Sequence, residues 1–164
     1  MIKFSWCFLV LGFVFSGCLK TKNDCPYTES KVVAPTAEQQ QVEYYLSQSG
    51  ITNAIKHPSG FYYSIVSQGS GATPQICSVV TVGYTGKLTN GNQFDQQNLI
   101  SFDLGRVIEG WRKGLPLIQK NGRIKLYIPP SLGYGHQEIK DGQGAVVIPA
   151  NSILVFDVEM FDVN

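Results

Sequence analysis

The segment from Val82 to Trp111 constrains the fold more than any other. It reads V-G-Y-T-G-K-L-T-N-G-N-Q-F-D, then a short polar loop, then S-F-D-L-G-R-V-I-E-G-W. Val80, Val82 and Tyr84 alternate with Thr81, Gly83 and Thr85, the period of a half-buried strand. Asn90-Gly91 predicts a two-residue hairpin turn, because both positions tolerate positive φ. Ile108, Trp111 and Leu115 share one face of a short helix, which Pro116 limits for want of a donor. Downstream, Ile124, Leu126 and Ile128 alternate with Arg123, Lys125 and Tyr127, after a second Asn-Gly pair at Asn121-Gly122. Leu154, Phe156, Val158 and Met160 make the inward face of a last strand. Phe61 to Ser67 is aromatic and β-branched, a strand by propensity. The chain has 17 glycines, many beside Asn, Asp or Ser, as turns between strands require. The residues thus predict a β-rich body with one short helix.

The N-terminal part is organised differently. Phe4 to Gly17 is almost wholly apolar and uncharged. As a helix it rises about 21 Å, short of the roughly 30 Å of a bilayer core. This fits a secretory signal. Phe15-Ser16-Gly17-Cys18 resembles a bacterial lipoprotein cleavage box, with Phe15 where an aliphatic residue is usual. Residues 1–18 are therefore expected to be a signal ending at Cys18, the lipidated residue. The alternatives are an ordinary secretory signal with an incidental cysteine, or an uncleaved anchor. By resemblance to diderm lipoproteins, Leu19 in place of Asp implies no inner-membrane retention signal, so the expected location is the cell envelope, lipid-anchored at the outer membrane and facing the periplasm. Residues 19–35 read as a tether and 36–58 as a helical extension. Thr36 is the expected cap, Val42, Tyr45 and Leu46 form a narrow apolar stripe, and Gly50 is the stop. The helix is expected to pack on the domain edge; dimerisation is the alternative. Residues 59–164 form the domain.

Cys7 falls in the signal and Cys18 is the lipidation candidate, which leaves Cys25 and Cys77. An oxidising compartment permits a disulfide between them; two independent thiols are the other reading. His57 and His136 lack zinc spacing, so no metal is expected, nor any cofactor. A formal charge of +1 with dispersed cations gives no case for nucleic acid. No Ser or Cys nucleophile constellation and no phosphate loop is present.

The segment Val82–Trp111, the run L-Y-I-P-P-S-L-G-Y-G from Leu126, and V-I-P-A-N-S-I-L-V-F-D-V-E from Val147 together resemble the FKBP-type peptidyl-prolyl isomerases. The resemblance covers roughly the last 100 residues, ample for one domain. It implies an α+β fold, a twisted antiparallel sheet wrapped around one short helix, here with an N-terminal helical extension. It implies Tyr84, Phe94, Asp95, Trp111, Tyr134 and Phe156 as catalytic residues, with Phe102, Val107, Ile108 and Ile148 binding substrate. Trp111 is the pocket floor; Tyr134 and the Ile108 N–H hold a carbonyl. The chain departs from the human archetype in having no Arg between Asp95 and Phe102, Ile100 in place of a Phe, and Gly144 near a flap His. The implied activity is prolyl isomerisation of X–Pro segments in exported polypeptides, with macrolide immunosuppressants as inhibitors. The other readings are a binding or chaperone module with little turnover, and an envelope scaffold.

Overall fold

Apolar alternation becomes strand in the computed structural model, which describes residues 25–164. The expected signal over 1–18, Cys18 and residues 19–24 lie outside the described residues. A helix, α1 (Thr36–Gln48), precedes β1 (Ile55–Lys56), β2 (Tyr62–Ser67), β3 (Val79–Leu88) and β4 (Gln93–Asp103). After a short helix, α2 (Glu109–Gly114), come β5 (Arg123–Ile128), β6 (Ile139–Lys140), β7 (Val146–Ile148) and β8 (Leu154–Val163). Six strands form one antiparallel sheet in the order β1-β2-β5-β8-β3-β4, and β6 and β7 form a separate hairpin.

The core lies between the sheet's inner face and α2. Val80, Val82, Ile124, Leu126, Ile128, Leu154, Val158 and Met160 are fully buried there, with Leu115 and Ile118 from the turn after α2. Each such side chain contributes about 1.5–3 kcal/mol by leaving water. Gly110 and Gly114 let α2 lie directly on β5. A Cβ on Gly110 would stand 2.5 Å from Ile128 Cδ1, and one on Gly114 2.6 Å from Leu126 Cδ2. Side chains at these two positions would therefore lift the helix off the sheet.

The Asn90-Gly91 turn is longer than the expected two residues. Leu88 N–H donates to Asn92 O at 2.8 Å, and Gly91 N–H donates to Leu88 O at 3.0 Å. Only Gly91 takes positive φ, at 88°. The Asn90 side chain instead accepts from Asn92 N–H at 2.9 Å, an Asx-type turn that needs no left-handed asparagine. The polar loop expected after Asp95 is also strand. β4 runs unbroken for 11 residues, with a register break where Val82 pairs Ile100 but Tyr84 pairs Gln97. A bulge absorbs the one extra residue there, a second break lies between Gly86 and Lys87, and as an edge strand β4 turns its polar side chains to solvent.

On the outer face, α1 packs Val42 and Leu46 against Tyr62 and Tyr127. Tyr127, expected on the polar face of β5, is buried because the helix covers that part of the sheet. Thr36 is not the cap. Pro35 occupies that position with no side-chain hydrogen bond, and its ring fixes the entry angle. Gly50 at φ 66° does end the helix, with Ile51 N–H returning to Leu46 O at 2.9 Å.

Residues 25–35, expected as a tether, form a strap along the domain. A disulfide joins Cys25 to Cys77. Arg112 Nη2 donates to Thr28 O at 2.7 Å, Lys113 Nζ donates to Ser30 O, and Ala34 N–H donates to Ser59 O at 2.9 Å. These bonds use backbone carbonyls, so the strap needs no apolar period to be held.

Candidate active site

Trp111 is set into the core by α2, 4% exposed, with three rings standing edge-on around it. Tyr84 lies 5.1 Å away at 89°, Phe156 5.2 Å at 81° and Phe102 5.9 Å at 86°, measured between ring centroids. Phe94 adds a fifth ring, 5.5 Å from Phe156 at 85°. Edge-to-face pairs of this kind add about 0.5–1.5 kcal/mol each beyond area burial, so the cage fixes its own rings. Strand period explains the convergence. Tyr84 on β3 and Phe156 on β8 both point to the inner face, and Gly86 pairs with Phe156 across the two strands. A Cβ on Gly86 would come 2.6 Å from the Phe94 ring and 2.9 Å from Phe156, so the glycine of Y-T-G makes room for both rings.

These rings wall a cavity of about 340 Å³ lined by Tyr84, Phe94, Asp95, Phe102, Arg106, Val107, Ile108, Trp111, Tyr134 and Phe156. Nine of these are residues expected from the sequence. Ile148 is not among them; it is buried in the core on β7, opposite Ile139 of the β6–β7 hairpin. Arg106 is the residue the sequence reading missed. Its only signal was adjacency to Val107 and Ile108, and its guanidinium stands 3.7 Å from Asp103 at the rim. Ile100, a departure from the archetype, packs on the core edge rather than on this cavity.

The polar groups divide into two sets. Asp95 is engaged: the Tyr84 hydroxyl donates to one of its oxygens and Gln96 N–H to the other at 2.8 Å. Burial, then the neighbouring Asp95, pushes the Tyr84 hydroxyl well above its ordinary value, so it stays a donor at neutral pH. The other set is open. Trp111 Nε1 is buried and has no hydrogen-bond partner among the described residues. The Ile108 N–H, at the start of α2, has no acceptor among the described residues. Tyr134 is 37% exposed, and burial followed by Asp95 raises its hydroxyl above the usual tyrosine range. An aromatic floor beneath a few unspent donors suits a planar, apolar ligand carrying a carbonyl. Among the described residues, the cavity lining holds no nucleophile–base pair.

The model of the FKBP-type peptidyl-prolyl cis-trans isomerase family matches residues 71–161. A probable FKBP-type peptidyl-prolyl cis-trans isomerase of Haemophilus influenzae is 48% identical over 110 residues, covering 65% of this chain and 44% of that protein. FkpA of Escherichia coli K12, an FKBP-type peptidyl-prolyl cis-trans isomerase, is 40% identical over 126 residues, 74% of this chain and 43% of that protein. The chain thus spans less than half the length of these two curated relatives. The crystal structure of Escherichia coli FkpA superposes with a TM-score of 0.66 at 39% identity, covering 78% of this chain and 58% of that one. A peptidyl-prolyl cis-trans isomerase from Pseudomonas syringae gives a TM-score of 0.66 at 27% identity, over 80% of this chain and 97% of that one. The segment matched by the family model contains every residue lining the aromatic cavity, and the chain belongs to the FKBP-type peptidyl-prolyl cis-trans isomerase family.

Proposed function

We propose that this chain is a peptidyl-prolyl cis-trans isomerase that assists the folding of exported polypeptides while anchored through lipid on Cys18 to the outer membrane. The observation that carries the reading is the aromatic cage around Trp111, with unspent donors at its edge. Rotation about an X–Pro amide meets a barrier of about 18–20 kcal/mol, because it breaks amide resonance. Resonance places charge on the amide oxygen, and twisting removes part of it. A dry aromatic site therefore disfavours the planar amide more than the twisted one while accepting the pyrrolidine ring. That is binding energy expressed in the transition state, without a covalent step. Trp111, Phe94, Phe156 and Tyr84 shape the pocket and Phe102 and Val107 extend its wall. Tyr134 and the Ile108 N–H orient the amide, while Asp95 holds the Tyr84 hydroxyl at the pocket edge. Lowering the barrier by roughly 7 kcal/mol gives about 10⁵-fold acceleration.

The envelope reading draws on the apolar segment before Cys18 and on the Cys25–Cys77 disulfide, which suits an oxidising compartment. Intact-mass analysis of the mature chain should find acyl groups on Cys18; an unacylated mature chain would overturn the anchor. For the activity, exchange spectroscopy on a Leu-Pro peptide is expected to show acceleration, abolished by a macrolide immunosuppressant. Absence of acceleration from the folded protein would leave a binding or chaperone module.

A further inference from the structure

The family match begins at residue 71, yet a residue far outside it touches the pocket wall. Tyr27 lies on the strap, two residues after the disulfide at Cys25. Its ring sits against the backbone of Gly105. The three atoms closest to a Cβ built on Gly105 all belong to that ring, well inside contact distance. Gly105 is followed by Arg106, Val107 and Ile108, all of which line the cavity, and Ile108 carries the free N–H.

The ring is held from both sides. Upstream, the Cys25–Cys77 disulfide fixes the strap beside the start of β3. Downstream, Thr28 O and Ser30 O accept from Arg112 and Lys113. Those two residues follow Trp111 on α2, so the same helix carries the pocket floor and grips the strap. Gly105 itself has no left-handed φ, so its lack of a side chain answers to the space Tyr27 occupies rather than to backbone conformation. The segment 105–108 runs from a 3₁₀ turn, Leu104–Arg106, whose Leu104 N–H donates to Ser78 O at 2.9 Å, into α2, and the Tyr27 ring lies across Gly105 in the middle of that turn.

We infer that Tyr27 is a positioning residue for the substrate pocket: its ring fixes the 105–108 wall and so sets where the Ile108 N–H meets a bound amide. The kinetic arm of the test rests on the isomerase reading above; a spectroscopic arm does not. In the full chain carrying Trp6→Phe, Trp111 is the only tryptophan and reports the pocket directly. Tyr27→Ala is expected to raise KM for a Leu-Pro peptide about five-fold with kcat changed less than about two-fold, since the Ile108 N–H contact is made alike to the planar and the twisted amide and its loss is uniform. It is also expected to shift Trp111 emission. Tyr27→Phe keeps the ring and should restore both.

Gly105→Ala supplies an independent check. It is expected to reproduce the Tyr27→Ala defect by displacing the ring, and to add little once Tyr27 is already Ala, because the clash is then gone. If Tyr27→Ala leaves both KM and Trp111 emission unchanged, the inference fails. It fails equally if Gly105→Ala does the same damage in both backgrounds. A wild-type chain with no turnover would remove the isomerase reading alone; the emission shift and its double-mutant cycle would still decide the role of Tyr27.

Discussion

Two regions meet on the short helix α2 and are held together by opposite means. The pocket is a cage of rings: Trp111 is packed edge-on by Tyr84, Phe102 and Phe156, while its own Nε1 has no partner among the described residues. The strap over residues 25–35 has no ring cluster. Beyond the Tyr27 ring on Gly105 and Ala34 in the core, it is held by a disulfide and by carbonyls that accept from Arg112, Lys113 and, through Ser59 O in the other direction, Ala34 N–H. The comparison teaches how a binding site stays ready. Its shape comes from apolar packing, which leaves its donors free for ligand; the strap spends its polar groups on being a strap.

The sharpest way to break the contrast is to remove the floor. Trp111→Ala should cost about 3–5 kcal/mol of stability, as deletion of a buried Trp does, and should abolish isomerase activity. Phe94→Ala separates shape from stability, since Phe94 is only partly buried beside the core. We expect it to cost less than about 2 kcal/mol while lowering kcat/KM at least ten-fold. Unchanged activity in folded forms of both variants would move the site elsewhere. On the strap side, reduction of the Cys25–Cys77 bond should lower stability by about 2–4 kcal/mol, read from urea midpoints with and without a thiol reductant. A reduced protein with the same midpoint would mean that the carbonyl contacts alone hold the strap.

How far these two regions were legible in the sequence follows from the same difference. Packing leaves a trace in side-chain pattern. The period of two in Val80–Tyr84, Ile124–Ile128 and Leu154–Met160 placed three strands, and the family motifs placed the rings. Backbone hydrogen bonding leaves no such trace. The strap therefore read as a tether, and the run from Gln96 to Ser101 read as a loop although it is edge strand. Alternation puts Tyr127 on the face of β5 opposite Ile124, Leu126 and Ile128 but does not say what lies over that face, and α1 covers it there. Arg106 escaped because a cation at a rim has no period at all.

A smaller perturbation addresses the polar half of the pocket. Tyr84→Phe removes the hydroxyl that donates to Asp95 and keeps the ring in the cage. The expected loss is about 0.5–1.5 kcal/mol of stability, the net worth of one hydrogen bond, because Asp95 is exposed and water can replace the lost donor. Activity should fall less than for Phe94→Ala. If Tyr84→Phe instead matches Phe94→Ala in activity, the donor to Asp95 matters as much as shape, and the division between packing and polar groups is too simple.

The smallest effect concerns pH at the strap side of α2. The His57 ring stacks on Phe61 with centroids 4.4 Å apart, and its Nδ1 accepts from Ser59 N–H at 3.1 Å. Ser59 O in turn receives the strap through Ala34 N–H. Burial, and then the charge on Lys113, hold His57 below its ordinary value of 6.5. A lowered folded-state pKa means that the unfolded chain binds the proton more readily. Stability from this group is therefore fully present above about pH 6.5 and is lost as pH falls through the lower folded-state value. Protonation also removes the acceptor that Ser59 N–H uses. Since the ring is partly open to solvent, the loss between pH 7.5 and pH 5 should stay below about 1 kcal/mol. His57→Gln should flatten this part of the urea-midpoint profile while leaving the rest of the acid limb in place. A profile with the same slope in both proteins would assign the acid sensitivity to the carboxylates instead, and would leave the strap indifferent to the charge on His57.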